Sequence, residues 1–128
     1  MDRIDIHIDV PSVPFKDLRE DGQGDSSSQI YERVMDARNI QEQRFCKTKI
    51  HTNAMMNSRH IRKFCQVDEK SNDLLEMAME KFALSARALS RILKISRTIA
   101  DLEKSSEIQD VHISEAIQYR SLDRKLTL

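Results

Sequence analysis

The sequence predicts a mainly α chain, a bundle of about five helices behind a single N-terminal β-strand, and three observations carry that prediction. The 128 residues hold 2 Gly and 2 Pro, at Gly22, Gly24, Pro11 and Pro14, so residues 25–128 run without either. Average usage would place about a dozen in such a stretch, and a sheet-rich domain would need them for its turns. Apolar residues recur at three- and four-residue spacing through most of that run, the period of an amphipathic helix. Residues 4–10, in contrast, alternate strictly, with Ile4, Ile6, Ile8 and Val10 on one side and Asp5, His7 and Asp9 on the other. The missing glycines also exclude chemistry: there is neither GxxxxGK[ST] nor GxGxxG, so the chain has no complete phosphate-cradling loop of its own.

The elements follow in order. A lone strand over 4–10 cannot bury its apolar face, which predicts a piece of a longer protein with Met1 as a vector start. Pro11 and Pro14 end the strand, and the stretch DGQGDSSS at 21–28 is a flexible link. The domain boundary falls there: residues 1–24 are a residual strand and linker, and 25–128 the helical domain. Ser26 to Ser28 offer N-caps for a first helix to about residue 45, with Ile30, Val34, Ala37, Ile40 and Gln41 inward. Residues 46–57 are polar with scattered Ile50, Met55 and Met56, and predict a long connection. Ser58 caps a short helix to about 65. A third helix spans about 69–82 and presents Leu74, Leu75, Ala78, Met79 and Phe82. Ser85 caps the fourth, to about 103, and Asp110 caps the fifth, from 111 to about 122, with Ile113, Ala116, Ile117 and Tyr119 inward.

Composition narrows the function classes. Charged residues make up 33% and balance overall, yet residues 1–29 carry 3 basic and 7 acidic side chains, 30–66 carry 8 and 3, and 67–128 carry 10 and 11. The basic middle falls short of a dedicated nucleic-acid binder. No secretory signal, 18-residue apolar run or lipidation motif is present, which predicts a soluble cytoplasmic protein without a membrane partner. Two cysteines make no disulfide framework.

The fourth helix carries the sharpest chemical signal. At about 100° per residue, Ala88, Leu89, Ile92, Leu93, Ile95, Ser96, Ile99 and Ala100 fill a wide apolar arc. Arg87, Arg91, Lys94 and Thr98 cluster on the far side. One reading is a solvated cationic face. The other begins from Arg87, the second helical residue if Ser85 is the cap, where the helix dipole repels a cation by a few tenths of a kcal/mol, roughly. A cation placed there makes sense if an anion also binds, since helix N–H groups and Arg converge on a phosphate.

Two further constellations carry alternatives. Cys46, His51, His60 and Cys65 form a C-x4-H…H-x4-C palindrome of proper zinc ligands, but the spacing matches no common zinc module. Buried thiol and surface histidines account for it better, and no metal site is expected. Arg59, Arg62 and Lys63 cluster on the short second helix with His60 and loosely match a helix-turn-helix, so they are candidate nucleic-acid contacts. A solvated surface is the blander alternative. His7 and His112 have no catalytic partner at meaningful spacing, and no nucleophile constellation is present, so stand-alone catalysis is not expected.

Three stretches resemble a known family: LSARALSRILKISRTIADLE at 84–103, AIQYRSLDR at 116–124 and DRIDIHIDVP at 2–11. Together they are similar to the C-terminal end of magnesium-chelatase-like AAA+ ATPases, in the bacterial competence-protein (ComM/YifB-type) branch. The resemblance implies that residues 2–10 are the last strand of an ATPase subdomain and that 25–125 form the helical lid over ATP. Arg87 is similar to the family's sensor-2 arginine, with Arg91 a second candidate at the same nucleotide-binding face. Arg3 matches an arginine-finger-like position that acts catalytically on ATP held by a neighbouring subunit. Both would stabilise charge on the transferred phosphoryl group.

The same resemblance implies ATP and Mg²⁺ for the full-length protein, and none required by this chain. Its expected partners are the remainder of the AAA+ core, neighbouring subunits in a ring, expected as a hexamer, and DNA, because that branch is linked to DNA uptake and recombination rather than to metal insertion. The P-loop, the Mg²⁺-binding acidic motif and sensor 1 are absent from these 128 residues. ATPase activity therefore belongs to the full-length protein and not to this chain alone. The alternative to a lid is a small helical nucleic-acid-binding or protein-interaction module.

Overall fold

The structure, a computed structural model, describes Ile6, Ile8 and residues 24–126, the side chains of 121–126 excepted. The strand predicted over 4–10 lies outside the described residues but for Ile6 and Ile8, and so do Arg3 and the linker up to 23. The described part is helical, with five α-helices: α1 (Ser27–Arg44), α2 (Ser58–Phe64), α3 (Glu69–Phe82), α4 (Ala86–Leu102) and α5 (Asp110–Leu126). A single 3-10 turn, Asn53–Met55, interrupts the connection between α1 and α2. One isolated parallel bridge, Val67 to Ile108, ties the entry to α3 to the entry to α5.

The caps explain why the helices begin where they do. The Ser26 hydroxyl accepts from the Gln29 N–H at 3.2 Å, and the Gln29 side chain accepts from the Ser26 N–H at 2.9 Å, a reciprocal box that satisfies two otherwise orphaned donors. Asp68 and Ser85 cap α3 and α4 by the one-way bond alone, their side chains accepting from the Ser71 N–H at 2.8 Å and the Ala88 N–H at 3.1 Å. α2 starts one residue earlier than expected, because Asn57 rather than Ser58 holds the His60 N–H, at 3.0 Å. α5 likewise begins on Asp110 itself and runs beyond residue 122 to Leu126.

Helix ends had to be made without glycine. Ala83, after α3, and Lys104, after α4, take left-handed backbones with φ of 50° and 60°. Each lets a following N–H reach back five residues: Leu84 to the Met79 carbonyl at 3.1 Å and Ser105 to the Ala100 carbonyl at 2.8 Å. A Cβ in that region costs about 1 kcal/mol.

α4 is the hub of the bundle. α1, α2, α5 and the 3-10 turn all pack on it, while α3 packs on α5. Its predicted apolar arc is the core: Ile92, Ile95, Ile99 and Ala100 bury against Phe45, Met56, Ile61, Leu75, Ile108, Ile113 and Ala116. Full burial of an isoleucine such as Ile92 or Ile113 contributes about 1.5–3 kcal/mol. Phe45 meets Phe64 edge-on, with ring centroids 5.2 Å apart, and closes the α2 side of that core.

α1 departs from expectation. Ala37 and Gln41 are buried as predicted, but Ile30 is 48% and Val34 43% exposed. Only the C-terminal half of α1 lies against α4. The apolar spacing identified the correct face of the helix but could not say how far its partner extends.

Candidate functional site

The far side of α4 is not a solvated face. Arg91, Lys94 and Thr98 are half-buried and line a cleft of about 590 Å³ with Ile95, Ile99 and Leu102, and Ile6, Ala54, Glu115 and Tyr119 complete its walls. That volume lies within the range of about 300–1,000 Å³ typical of small-ligand sites. The cleft is polarised. Arg91 and Lys94 supply positive charge along α4, while Glu103 and Glu115 supply negative charge. Tyr119 donates to Glu115 at 2.8 Å, and this hydrogen bond pushes the Tyr119 phenol up from its ordinary range. An anion entering the cleft is thus directed to the Arg91–Lys94 side.

Arg87 lies one helical turn before Arg91, exposed, and is not among the cleft's walls. Ser85 caps α4 as expected, so Arg87 does occupy the second helical position. It makes no ion pair or hydrogen bond among the described residues. The structure therefore groups Arg91, Lys94 and Thr98, leaves Arg87 at the edge of that group, and does not reach Arg3, which lies outside the described residues.

Behind the cleft stands a buried polar network that the sequence pattern did not reveal. Asp101, fully buried, accepts from Arg44 through Nη1 at 2.8 Å and Nη2 at 2.5 Å. It also accepts from Asn53 Nδ2 at 2.9 Å and Arg97 Nε at 3.2 Å. Arg97 spends its remaining donors on the carbonyls of Ser105 at 2.8 Å and Ser106 at 3.2 Å, fixing the chain as it leaves α4. Burial pushes the Arg97 guanidinium down, and Asp101 opposes that shift.

Asn53 links this network to the cleft. Its Nδ2 also donates to Thr98 Oγ1 at 3.0 Å, and its N–H donates to Gln41 Oε1 at 2.9 Å. The neighbouring Ala54 carbonyl accepts from Lys94 Nζ at 3.1 Å. The 3-10 turn is therefore clamped along α4 and holds Lys94 and Thr98 in place. At about 100° per residue, Asp101 falls beside Lys94, on the side the sequence assigned to solvent. The available signal was the i,i+4 pair Arg97–Asp101 inside a strongly apolar helix.

The remaining candidates separate. Arg59, Arg62 and Lys63 are exposed on α2, with Lys63 Nζ 5.2 Å from the Phe64 ring centroid. His60 Nδ1 accepts from the Asn57 N–H at 3.2 Å and so belongs to the α2 cap. Cys46 is exposed, whereas Cys65 is buried, with its thiol pushed up to about 11 by desolvation. Among the described residues, no group of three or more His, Cys, Asp or Glu is placed to hold a metal ion. No helix there is long and apolar enough to cross a membrane.

Comparison with known proteins adds the family. Residues 24–120 match the family described as magnesium chelatase, subunit ChlI C-terminal. Over 127 residues the chain is 42% identical to the competence protein ComM of Haemophilus influenzae. It is 38% identical to YifB of Escherichia coli and 35% identical to YifB of Salmonella typhimurium over the same length. In each case 98% of this chain is covered but 24% of the relative, so the chain spans about a quarter of the length of these proteins.

Proposed function

The chain belongs to the magnesium chelatase ChlI C-terminal family, in its ComM/YifB-type branch, and from that premise we propose that it is the helical lid of an AAA+ ATPase. In this reading the lid closes over ATP bound by a core subdomain. It places Arg87 and Arg91 against the terminal phosphates and couples nucleotide state to motion within a ring of subunits. The observation that carries the reading is the α4 stripe: cations on successive turns from the helix start, backed by a clamped 3-10 turn and bordering a ligand-sized cleft. Arginines held at a phosphoryl group stabilise the charge that develops on transfer.

ATP is the substrate of the whole assembly, and Mg²⁺ would accompany its phosphates. The donor set fits the anion and not the metal: Arg91 and Lys94 line the cleft, whereas no carboxylate cluster is available among the described residues. Mg²⁺ ligands and the phosphate loop would come from the core. Arg3 would act on ATP of the adjoining subunit.

Titration of this chain with ATP, followed through backbone amide shifts, tests the reading. Perturbation centred on residues 85–91 is expected, and shifts confined to 47–63 would count against it. In the full-length ATPase, Arg87→Ala should lower hydrolysis by more than about tenfold, and unchanged turnover would sink the sensor role.

A further inference from the structure

Lys94 is held in a way that leaves its charge unanswered. Its ammonium carries three donors, and among the described residues its one partner is neutral, the Ala54 carbonyl at 3.1 Å. No carboxylate pairs with it, although Glu103 and Glu115 line the same cleft. Arg91 stands three residues before it, a neighbour on the same face of α4, so both can reach one anion in the cleft. An anionic oxygen outcompetes a carbonyl for an ammonium, because full charge then strengthens the hydrogen bond from both ends.

The Ala54 carbonyl belongs to the 3-10 turn, and the two sides of that turn are anchored differently. The inner side is fixed by Asn53, 2% exposed, through Gln41, Thr98 and Asp101. The outer side, Ala54 and Met55, is exposed, and among the described residues Lys94 supplies its one side-chain bond to α4. The turn also has space to move into. Ala54 borders both the cleft and a second groove of about 290 Å³ that reaches Val34 and Arg38 of α1. Once released by Lys94, the exposed Ala54 carbonyl can accept from water, so letting go strands no buried acceptor.

We propose that Lys94 is a latch that a polyphosphate releases. Without the anion it holds the outer side of the 3-10 turn; with a polyphosphate in the cleft it turns to a phosphate oxygen beside Arg91 and lets Ala54 and Met55 go. The inference rests on the proposed nucleotide reading of the cleft and adds the route by which occupancy reaches the connection between α1 and α2. A lysine suits the exchange: its compact charge on a flexible four-carbon stem changes partners by rotation, whereas an arginine fork is tied to one planar geometry. Asn53 keeps its three partners throughout, so the effect is confined to the outer side of the turn, and the core packing of α4 is unaltered.

The test is amide hydrogen exchange of this chain, residue by residue, with and without inorganic tripolyphosphate or ATP. The Met55 and Met56 N–H groups close the turn on the Thr52 and Asn53 carbonyls, each at 3.1 Å, and report its opening. The Asn53 N–H, bonded to Gln41, is the internal control. Loss of one hydrogen bond predicts roughly two- to tenfold faster exchange at Met55 and Met56 once the anion saturates, with Asn53 unchanged. Lys94→Met, which keeps an apolar stem, should show that fast exchange without anion and no further rise with it, at unaltered helical circular dichroism. Exchange in Lys94→Met equal to the parent's would overturn the latch. So would a parent chain whose 85–91 amides titrate with tripolyphosphate while Met55 and Met56 stay protected, a result that leaves the nucleotide reading standing. Absence of any titration along α4 would remove both.

Discussion

Replacement of Asp101 by alanine tests whether the buried network holds the domain together. The carboxylate is fully buried and is the single anion between two guanidinium groups whose side chains are only 12% (Arg44) and 5% (Arg97) exposed. The cluster therefore carries one net positive charge, and Asp101→Ala would raise it to two while stranding donors of Arg44, Arg97 and Asn53. Breaking a buried pair in this way costs about 3–5 kcal/mol, a large part of the roughly 5–15 kcal/mol available to a domain of this size. At about 4–8 °C per kcal/mol, the melting temperature should fall by upward of about 12 °C. The partner substitution Arg44→Met sharpens the test, because it leaves Asp101 balanced by Arg97 and still held by Asn53. It should cost only about 1–2 kcal/mol, mostly lost hydrogen bonds. Urea denaturation followed by helical circular dichroism gives both values by linear extrapolation. A loss under about 1 kcal/mol for Asp101→Ala, or a greater loss for Arg44→Met, would refute this account of the network.

Other expectations follow from single features. Ala83→Gly should stabilise the domain by about 0.5–1 kcal/mol in the same denaturation assay, since glycine removes the Cβ from a left-handed position. Ser85→Ala should cost about 1 kcal/mol by freeing the Ala88 N–H at the start of α4. The Cys65 thiol is raised by burial from 9.0 to about 11, so the folded state disfavours its thiolate. Its contribution to stability is complete below pH 9 and lost as the pH rises through about 11; Cys65→Ala should show a smaller fall over that window, and iodoacetamide at neutral pH should label Cys46 alone. His112, buried in α5, accepts from the Gln109 N–H through Nδ1 at 2.9 Å and donates to Glu103 through Nε2 at 2.7 Å. Its replacement by leucine should cost about 1–2 kcal/mol, and His112→Gln less, because Gln29 already makes the equivalent reciprocal cap on α1.

What the sequence revealed and what it hid divide along the range of the interactions concerned. α3 and α4 have the expected bounds because local signals set them: a capping Asp68 or Ser85 followed by apolar residues at helical spacing. The family resemblance rests on the same local stretches, and the matched region 24–120 contains all of α4. The connection 46–57 looked featureless because its organising residue acts over long range. Asn53 bonds to Gln41, Thr98 and Asp101, which lie 12, 45 and 48 positions away, and Arg44 meets Asp101 across 57. No periodicity within a window of one helix can report such pairs. The exposed N-terminal half of α1 fails for a related reason: an apolar stripe shows which way a helix faces, not where its partner stops. The cationic stripe of α4 combines both kinds of information. Its spacing was legible, and so was the Arg at the helix start. Whether the stripe met solvent depended on a polar loop closing over it, with Lys94 reaching the Ala54 carbonyl and Asn53 reaching Thr98. A surface built to present cations to a mobile phosphate needs such fixing, because an unrestrained lysine or arginine would lose up to about 2 kcal/mol of side-chain entropy each time it engaged. The network around Asp101 thus bears on the proposed function as well as on stability, by holding the 3-10 turn that holds the stripe.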